Sequence, residues 1–226
     1  MKNNTWKLVV LLGILMIASA GMLCLYNIRQ SKNAAAYSES VLDTLKHRIP
    51  EPEPEPAPQP AETAAVPEKE DLFAYYEEST DAPVQSEAAD IVIGNAAYCG
   101  YLTLPSLNLE LPVMSSWSYQ NLRLAPCRYS GSVQTNDLII MAHNYSTHFG
   151  RIGELTNGSR FSFTDTAGTE HLYTVSFIEV IAGQDAEQMF SGQSADWDLT
   201  LYTCTLSGQS RITIRAYRLD KPAEET

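Results

Sequence analysis

The sequence has no cluster of basic residues, no CxxC spacing and no internal repeat, and each absence removes a class of function. Lys and Arg total 15 against 27 Asp and Glu, for a formal charge of −12. Phosphate binding needs a clustered cationic surface, so no nucleic acid partner is expected. The acid is also local. Residues 51–90 hold twelve Asp or Glu against Lys69 alone, which leaves the rest of the chain near −1. The negative charge therefore belongs to a solvated linker and the folded part is close to neutral. The four cysteines, Cys24, Cys99, Cys127 and Cys204, lack the spacing of a zinc ribbon or a thioredoxin-like site. Cys24 lies in an apolar run, and three thiols cannot all pair within one chain. A leftover thiol in an exported protein is a candidate nucleophile, the alternative being a small buried hydrophobe. Two other uses stay open: a Cys99–Cys127 disulfide, and a zinc site of Cys99, Cys127 and His148 without ligand spacing. No cofactor and no metal is expected.

What is present begins with Leu8–Tyr26, nineteen residues without a charge, flanked by Lys2 and Lys7 before and Arg29 and Lys32 after. At the helical rise this run just crosses a bilayer core. Ala18-Ser19-Ala20 imitates a signal-peptidase site, but the run continues past it, which favours an uncleaved single-pass anchor with the rest of the chain extracellular. Residues 1–30 are read as cytoplasmic end and anchor. Residues 31–49, with Ala34, Val41, Leu42 and Leu45 among polar residues, suit a short juxtamembrane helix that ends before Pro50. From Pro50, PEPEPEPAPQP blocks helix and sheet and favours polyproline II. Residues 50–90 are thus expected to be an acidic spacer holding the following domain away from the lipid, with DLFAYYEE (71–78) docking on that domain.

The folded unit is expected over 91–220, with 221–226 a tail. Short β-branched and aromatic runs predict strands near 100–104, 109–114, 137–142, 159–164, 171–182, 198–204 and 211–218, and short helices at 148–155 and 184–190. The fold class is mostly β: a small antiparallel barrel or sandwich without the helical crossovers of a parallel sheet. The strand ending TLYTC (200–204) and the strand opening at Arg211 form a hairpin. Alternation puts Leu199 and Leu201 on one face and Thr200, Tyr202 and Cys204 on the other. On the partner strand Ile212, Ile214 and Ala216 face the core, leaving Arg211, Thr213 and Arg215 outside. Cys204 and Arg211 therefore share the non-core face. A thiol there becomes useful as a thiolate, which needs an imidazole or guanidinium nearby. Of the four histidines, His47 precedes the linker, His171 reads as an edge residue and His148 as a helix start. His143 exits the apolar strand LIIMA into a polar loop, a common position for catalytic groups. Its distance from Cys204 cannot be read from spacing.

The order of a strand ending in His, then TLYTC, then Arg on the next strand resembles the sortase family. TLYTC fits the family's TLxTC signature, and IIMAHNYSTHFGRIGEL is similar to the segment around its catalytic histidine. YLTLPSLNLELPVM (101–114) resembles its opening strands, so the likeness runs from about Tyr101 to Leu219. It implies a cysteine transpeptidase with a sortase-type barrel. Cys204 is implied as nucleophile, His143 as acid-base and Arg211 as the cation on the oxyanion or substrate backbone. The partners implied are surface proteins with a C-terminal sorting motif, and a peptidoglycan-precursor or lysine amine as acceptor. The short Cys204–Arg211 loop leaves the class within the family open, and the calcium site of some members does not map. DLF at 71–73 differs in its middle residue from the aspartate-aromatic lid of pilin-polymerising members. L,D-transpeptidases also use Cys and His, but their Ser-x-Gly-Cys run is missing. An inactive barrel serving as a binding module is the remaining alternative.

Overall fold

The computed structural model describes residues 5–50, 88–189 and 197–220. The proline-rich segment with its 71–78 stretch and the tail 221–226 lie outside the described residues. Among the described residues nine strands follow a long helix: α1 (Thr5–Arg48), β1 (Ile91–Ile93), β2 (Ala96–Leu104), β3 (Leu109–Met114), α2 (Tyr119–Leu122), β4 (Cys127–Ser130), β5 (Leu138–Ala142), β6 (Arg160–Asp165), β7 (Glu170–Ala182), β8 (Leu199–Cys204) and β9 (Ser210–Arg218). The sheet order is β1-β2-β3-β4-β5-β8-β9-β7-β6, and a β2–β6 pairing closes eight of the strands into a barrel, with β1 added at an edge. Two neighbour pairs, β3–β4 and β5–β8, are parallel. The fold is thus the expected mostly β, small antiparallel barrel, and closure selects barrel over sandwich.

Alternation builds the interior. Leu102, Leu104, Ile140, Phe161, Phe163, Val175, Leu199, Leu201, Ile214 and Ala216 fill it and are buried. The residues between them point outward, though not all to water. Thr200, Thr213 and Arg215 are fully buried, because the 3₁₀ segment Gly183–Met189 lies across the outer face of β8 and β9. The sequence reading of that face as merely outside is corrected: it is a second packed layer. Ile139, Ile181, Met189 and Tyr202 form a small apolar cluster there. The two expected short helices are 3₁₀ turns, at Ile152–Glu154 and Gly183–Met189. β1 and β4 are additional, and so is α2, capped by Ser118 Oγ, which accepts from the Asn121 N–H at 3.0 Å.

The helical expectations also change. Anchor run and juxtamembrane helix are one uninterrupted helix of 44 residues. Its Leu8–Tyr26 portion exposes its large apolar side chains, and the helix is long and apolar enough to cross a membrane. Its second half does not stand clear of the barrel. Ala34, Ser38, Val41, Leu42 and Leu45, spaced i, i+4, i+7, i+8 and i+11, are buried, and Val41 and Leu45 pack with Tyr98, Met114, Leu122, Ala125 and Cys127. Each fully buried Val or Leu contributes about 1.5–3 kcal/mol, so this stripe holds the helix down. Around it Tyr37 and Tyr98 share a hydroxyl hydrogen bond of 2.8 Å, Lys46 pairs with Glu110 at 2.5 Å, and Arg48 Nη1 donates to Val92 O at 2.7 Å. The helix ends at Arg48, and two residues on, the carbonyl of Pro50 lies where a Cβ on Gly168 would come within 2.3 Å, Gly168 having φ +88. The helix is thus fixed to the barrel by direct packing of its second half.

Candidate functional site

The chemistry-bearing residues collect where β5, β8 and β9 reach the same end of the barrel. β5 and β8 run parallel with Ala142 opposite Thr203, so His143 and Cys204 each stand one residue beyond that last pair. Strands in a sheet lie about 4.8 Å apart, which makes the two residues neighbours. Thr203 Oγ1 donates to Ala142 O at 2.8 Å and ties the strand ends together. Across the antiparallel hairpin Cys204 is paired directly with Arg211, and such partners have Cα atoms about 4.5–5.5 Å apart. The topology thus brings together three residues that spacing could not.

Cys204 is partly exposed, in contrast to Cys99 and Cys127. Those two are buried: Cys99 sits in the barrel core and Cys127 under α1. They do not form the disulfide considered from sequence. Burial pushes the Cys127 thiol up to about 12, where it is an inert hydrophobe. Among the described residues no three His, Cys, Asp or Glu side chains are placed to hold a metal ion, and His148 is fully buried elsewhere.

His143 is half-buried. Burial, assisted by the positive charge of Arg123, lowers its pKa below the usual 6.5, so the imidazole is neutral at neutral pH. Its ring stacks on Tyr145 at 4.8 Å between centroids, and Tyr145 in turn tilts over His148 at 5.5 Å. His148 Nε2 lies 3.5 Å from Ser38 Oγ on α1, and Ser38 donates to Leu124 O at 3.0 Å. A row of contacts thus runs from the long helix to His143. Arg211 Nη1 donates to Gly208 O at 2.9 Å and Ser210 O at 3.1 Å. These bonds hold the guanidinium at the hairpin turn and leave Nε and Nη2 without a protein acceptor among the described residues. Asn144 Nδ2 reaches Thr205 O at 3.5 Å, linking the His143 loop to the same turn.

Beside the site the outer sheet face is aromatic. Tyr202, two residues before Cys204 on its face, meets Tyr129 edge-on at 5.9 Å, and Tyr129 meets Trp117 at 5.9 Å. An open groove of about 620 Å³ follows, lined by Ser116, Trp117, Tyr129 and Ser132 among others. On the other side Arg215 holds the β7–β8 connection: it donates to Thr200 Oγ1 at 2.8 Å, Met189 O at 3.0 Å and Glu179 at 2.9 Å, to Gln188 O as well, and stacks on Trp197 at 4.3 Å. Sequence reasoning missed Tyr145, Arg123 and Ser38. Only Ser38 had a legible signal, its place in the small and apolar stripe of α1. The other histidines lie apart: His47 is exposed beside Asp43. His171 is a buried bridge between Asp165, at 2.9 Å, and Arg218, at 2.9 Å, rather than an edge residue.

Similar solved structures are sortases. Sortase C1 of GBS Pilus Island 1 is 23% identical with a TM-score of 0.47, over 56% of this chain and 66% of its own. Sortase C from Clostridium perfringens SM101 is 24% identical with a TM-score of 0.47, over 55% and 71%, and Clostridium perfringens sortase C is known also with the C-terminal cell wall sorting motif. Sortase A from Corynebacterium diphtheriae is 18% identical with a TM-score of 0.48, over 57% and 64%. The chain therefore spans just under two thirds of the first and the last of these. No curated protein matches it. The sortase-domain family model matches residues 102–219, just over half of the sequence and nearly the whole barrel, and the chain belongs to the sortase family.

Proposed function

We propose that this sortase is an active, membrane-anchored cysteine transpeptidase in which Cys204 is the nucleophile, His143 the acid-base and Arg211 the oxyanion cation. The observation carrying the reading is the strand register. It ends β5 and β8 side by side and sets Cys204 opposite Arg211. The substrate is a surface protein whose C-terminal sorting motif lies in the aromatic groove leading to Tyr202. The neutral His143 takes the Cys204 thiol proton as sulfur attacks the scissile backbone carbonyl. Arg211 turns its spare N–H groups onto the developing oxyanion. The tetrahedral intermediate collapses with cleavage of the C–N bond, and His143 hands its proton to the leaving amine. A thioester remains. An acceptor amine, from a peptidoglycan precursor or a lysine, then attacks it. His143 removes the amine proton, the C–S bond breaks, and the returned proton restores the thiol. Helix α1 is a single-pass anchor and the barrel is extracellular.

The test uses the full chain in detergent with a panel of sorting-motif peptides, read by mass spectrometry. A hydroxylamine-sensitive adduct should form on the native chain and be absent from Cys204→Ala. An adduct persisting in that variant sinks the assignment. A Cys204 inert toward every peptide and toward thiol probes would favour a binding module instead.

A further inference from the structure

Helix α1 fixes which end of the barrel faces the lipid. β7 gives the barrel a direction: it begins at the 166–169 turn, and at its other end Ala182 pairs with Ser210, next to Arg211. The last residues of α1 lie at the first of these ends, where Pro50 meets Gly168 and Arg48 holds β1. The helix then runs back toward its N-terminus along the barrel and reaches the loop after His143. There Ser31 Oγ and Thr147 Oγ1 share a hydrogen bond of 3.1 Å, Thr147 also donates to Ser31 O at 3.2 Å, and Tyr26 is an electrostatic neighbour of Tyr145. Tyr26 closes the apolar run. Ser31 stands five residues, about 7.5 Å, beyond it, while a headgroup layer is roughly 5–8 Å thick.

We infer that the His143–Cys204 end of the barrel is seated against the phospholipid headgroups, with α1 as a rigid strut, so that it acts on substrates displayed at the membrane surface. The inference rests on the reading of α1 as a membrane anchor. An uninterrupted helix and a buried stripe leave the barrel no hinge in the described chain between lipid and site. The turn between Cys204 and Arg211 carries at its tip Leu206, which is 98% exposed, an apolar side chain suited to a headgroup boundary. Arg29 and Lys32 follow the apolar run directly and favour anionic lipid.

The full chain is reconstituted in nanodiscs containing phosphatidylglycerol, with a photo-crosslinking benzophenone residue replacing either Leu206 or Ala167, the latter on the opposite turn. Lipid adducts are expected to be at least tenfold more abundant at position 206 than at 167. Equal or reversed labelling overturns the proposal. A flexible twelve-residue Gly-Ser insertion between Ile28 and Arg29 should bring the two positions to the same level. It should also lower transfer to an amine tethered on a lipid headgroup at least tenfold, while transfer to the same amine free in solution stays within twofold. Unchanged tethered transfer overturns the substrate part. A chain that never enters the nanodisc overturns the anchor reading and this proposal together. Loss of all transfer in the uninserted chain, with labelling still confined to position 206, rejects the proposed activity and the substrate part, leaving the orientation standing.

Discussion

At the scale of the residue, two histidines five positions apart do different work because their burial differs. His143 is half-buried with a lowered pKa, so the neutral imidazole persists to lower pH than in a free histidine. The acid limb of kcat/KM for thioester formation should therefore fall below pH 6.5, and a limb above that value would argue against His143 as the base. His148 is fully buried, and burial, with His143 nearby, pushes its pKa down to about 4. Its Nδ1 has no hydrogen-bond partner among the described residues. The unfolded chain takes up a proton near pH 6.5 and the native chain resists until about pH 4. Stability is therefore full above 6.5, declines as pH falls across that window, and loses roughly 3 kcal/mol from this group at its lower end. Urea midpoints measured from pH 7 to pH 4 should flatten in His148→Leu, which removes both the titration and the orphan nitrogen. A slope unchanged by the substitution would assign the acid sensitivity to the carboxylates instead.

At the scale of the element, the hairpin was the most legible part of the sequence because alternation is a local rule. Leu199, Leu201, Ile214 and Ala216 all sit in the core as the period of two requires. The pairing of Cys204 with Arg211 follows from the same hairpin. What alternation could not show is a second layer on the outer face. A buried Arg215 reads as solvent-facing from sequence, since its acceptors on Glu179, Gln188, Met189 and Thr200 all come from other segments of the chain. β4 escaped for a related reason: CRYS has no apolar alternation, and its place is set by pairing with Met114 and Met141, both distant in sequence. Arg215 also yields an element-scale expectation. Arg215→Ala strips the bonds that hold Gln188 and Met189 over β8 and β9 and leaves Glu179 unpaired. The loss should be about 3 kcal/mol, with faster amide exchange in 183–189 than in the barrel core. Protection unchanged in that segment would mean that Met189 and Trp197 hold it without the arginine.

At the scale of the whole molecule, what sequence misjudged was how the parts connect. Composition marked off an apolar run, a helix, a proline-rich stretch and a β domain and treated them as beads in order, whereas the run and the helix are one helix packed on the barrel. Nothing local reveals that Ser38, Val41 and Leu45 find their cover on residues more than fifty positions later. The same limit applied to His143, whose nearness to Cys204 depends on a parallel β5–β8 pairing that joins segments sixty-one residues apart. The contact with α1 makes the barrel alone an incomplete folding unit. Removing residues 31–49 would expose Tyr98, Met114, Leu122, Ala125 and Cys127, now buried beside the helix, as an apolar patch of the kind that drives association. A chain of residues 88–226 should therefore melt well below one that keeps 31–49, and self-associate at micromolar concentration. Within the longer chain Leu45→Ala, at a fully buried position, should cost about 3 kcal/mol. Matching melting temperatures for the two chains, with both monomeric by light scattering, would show that the helix rests on the barrel without stabilising it. The coupling from Ser38 through His148 and Tyr145 adds a kinetic expectation. Ser38→Ala, which removes the hydroxyl and adds no bulk at this buried position, should lower kcat for thioester formation several-fold with little change in KM. A change confined to KM would break the link between α1 and the histidine loop.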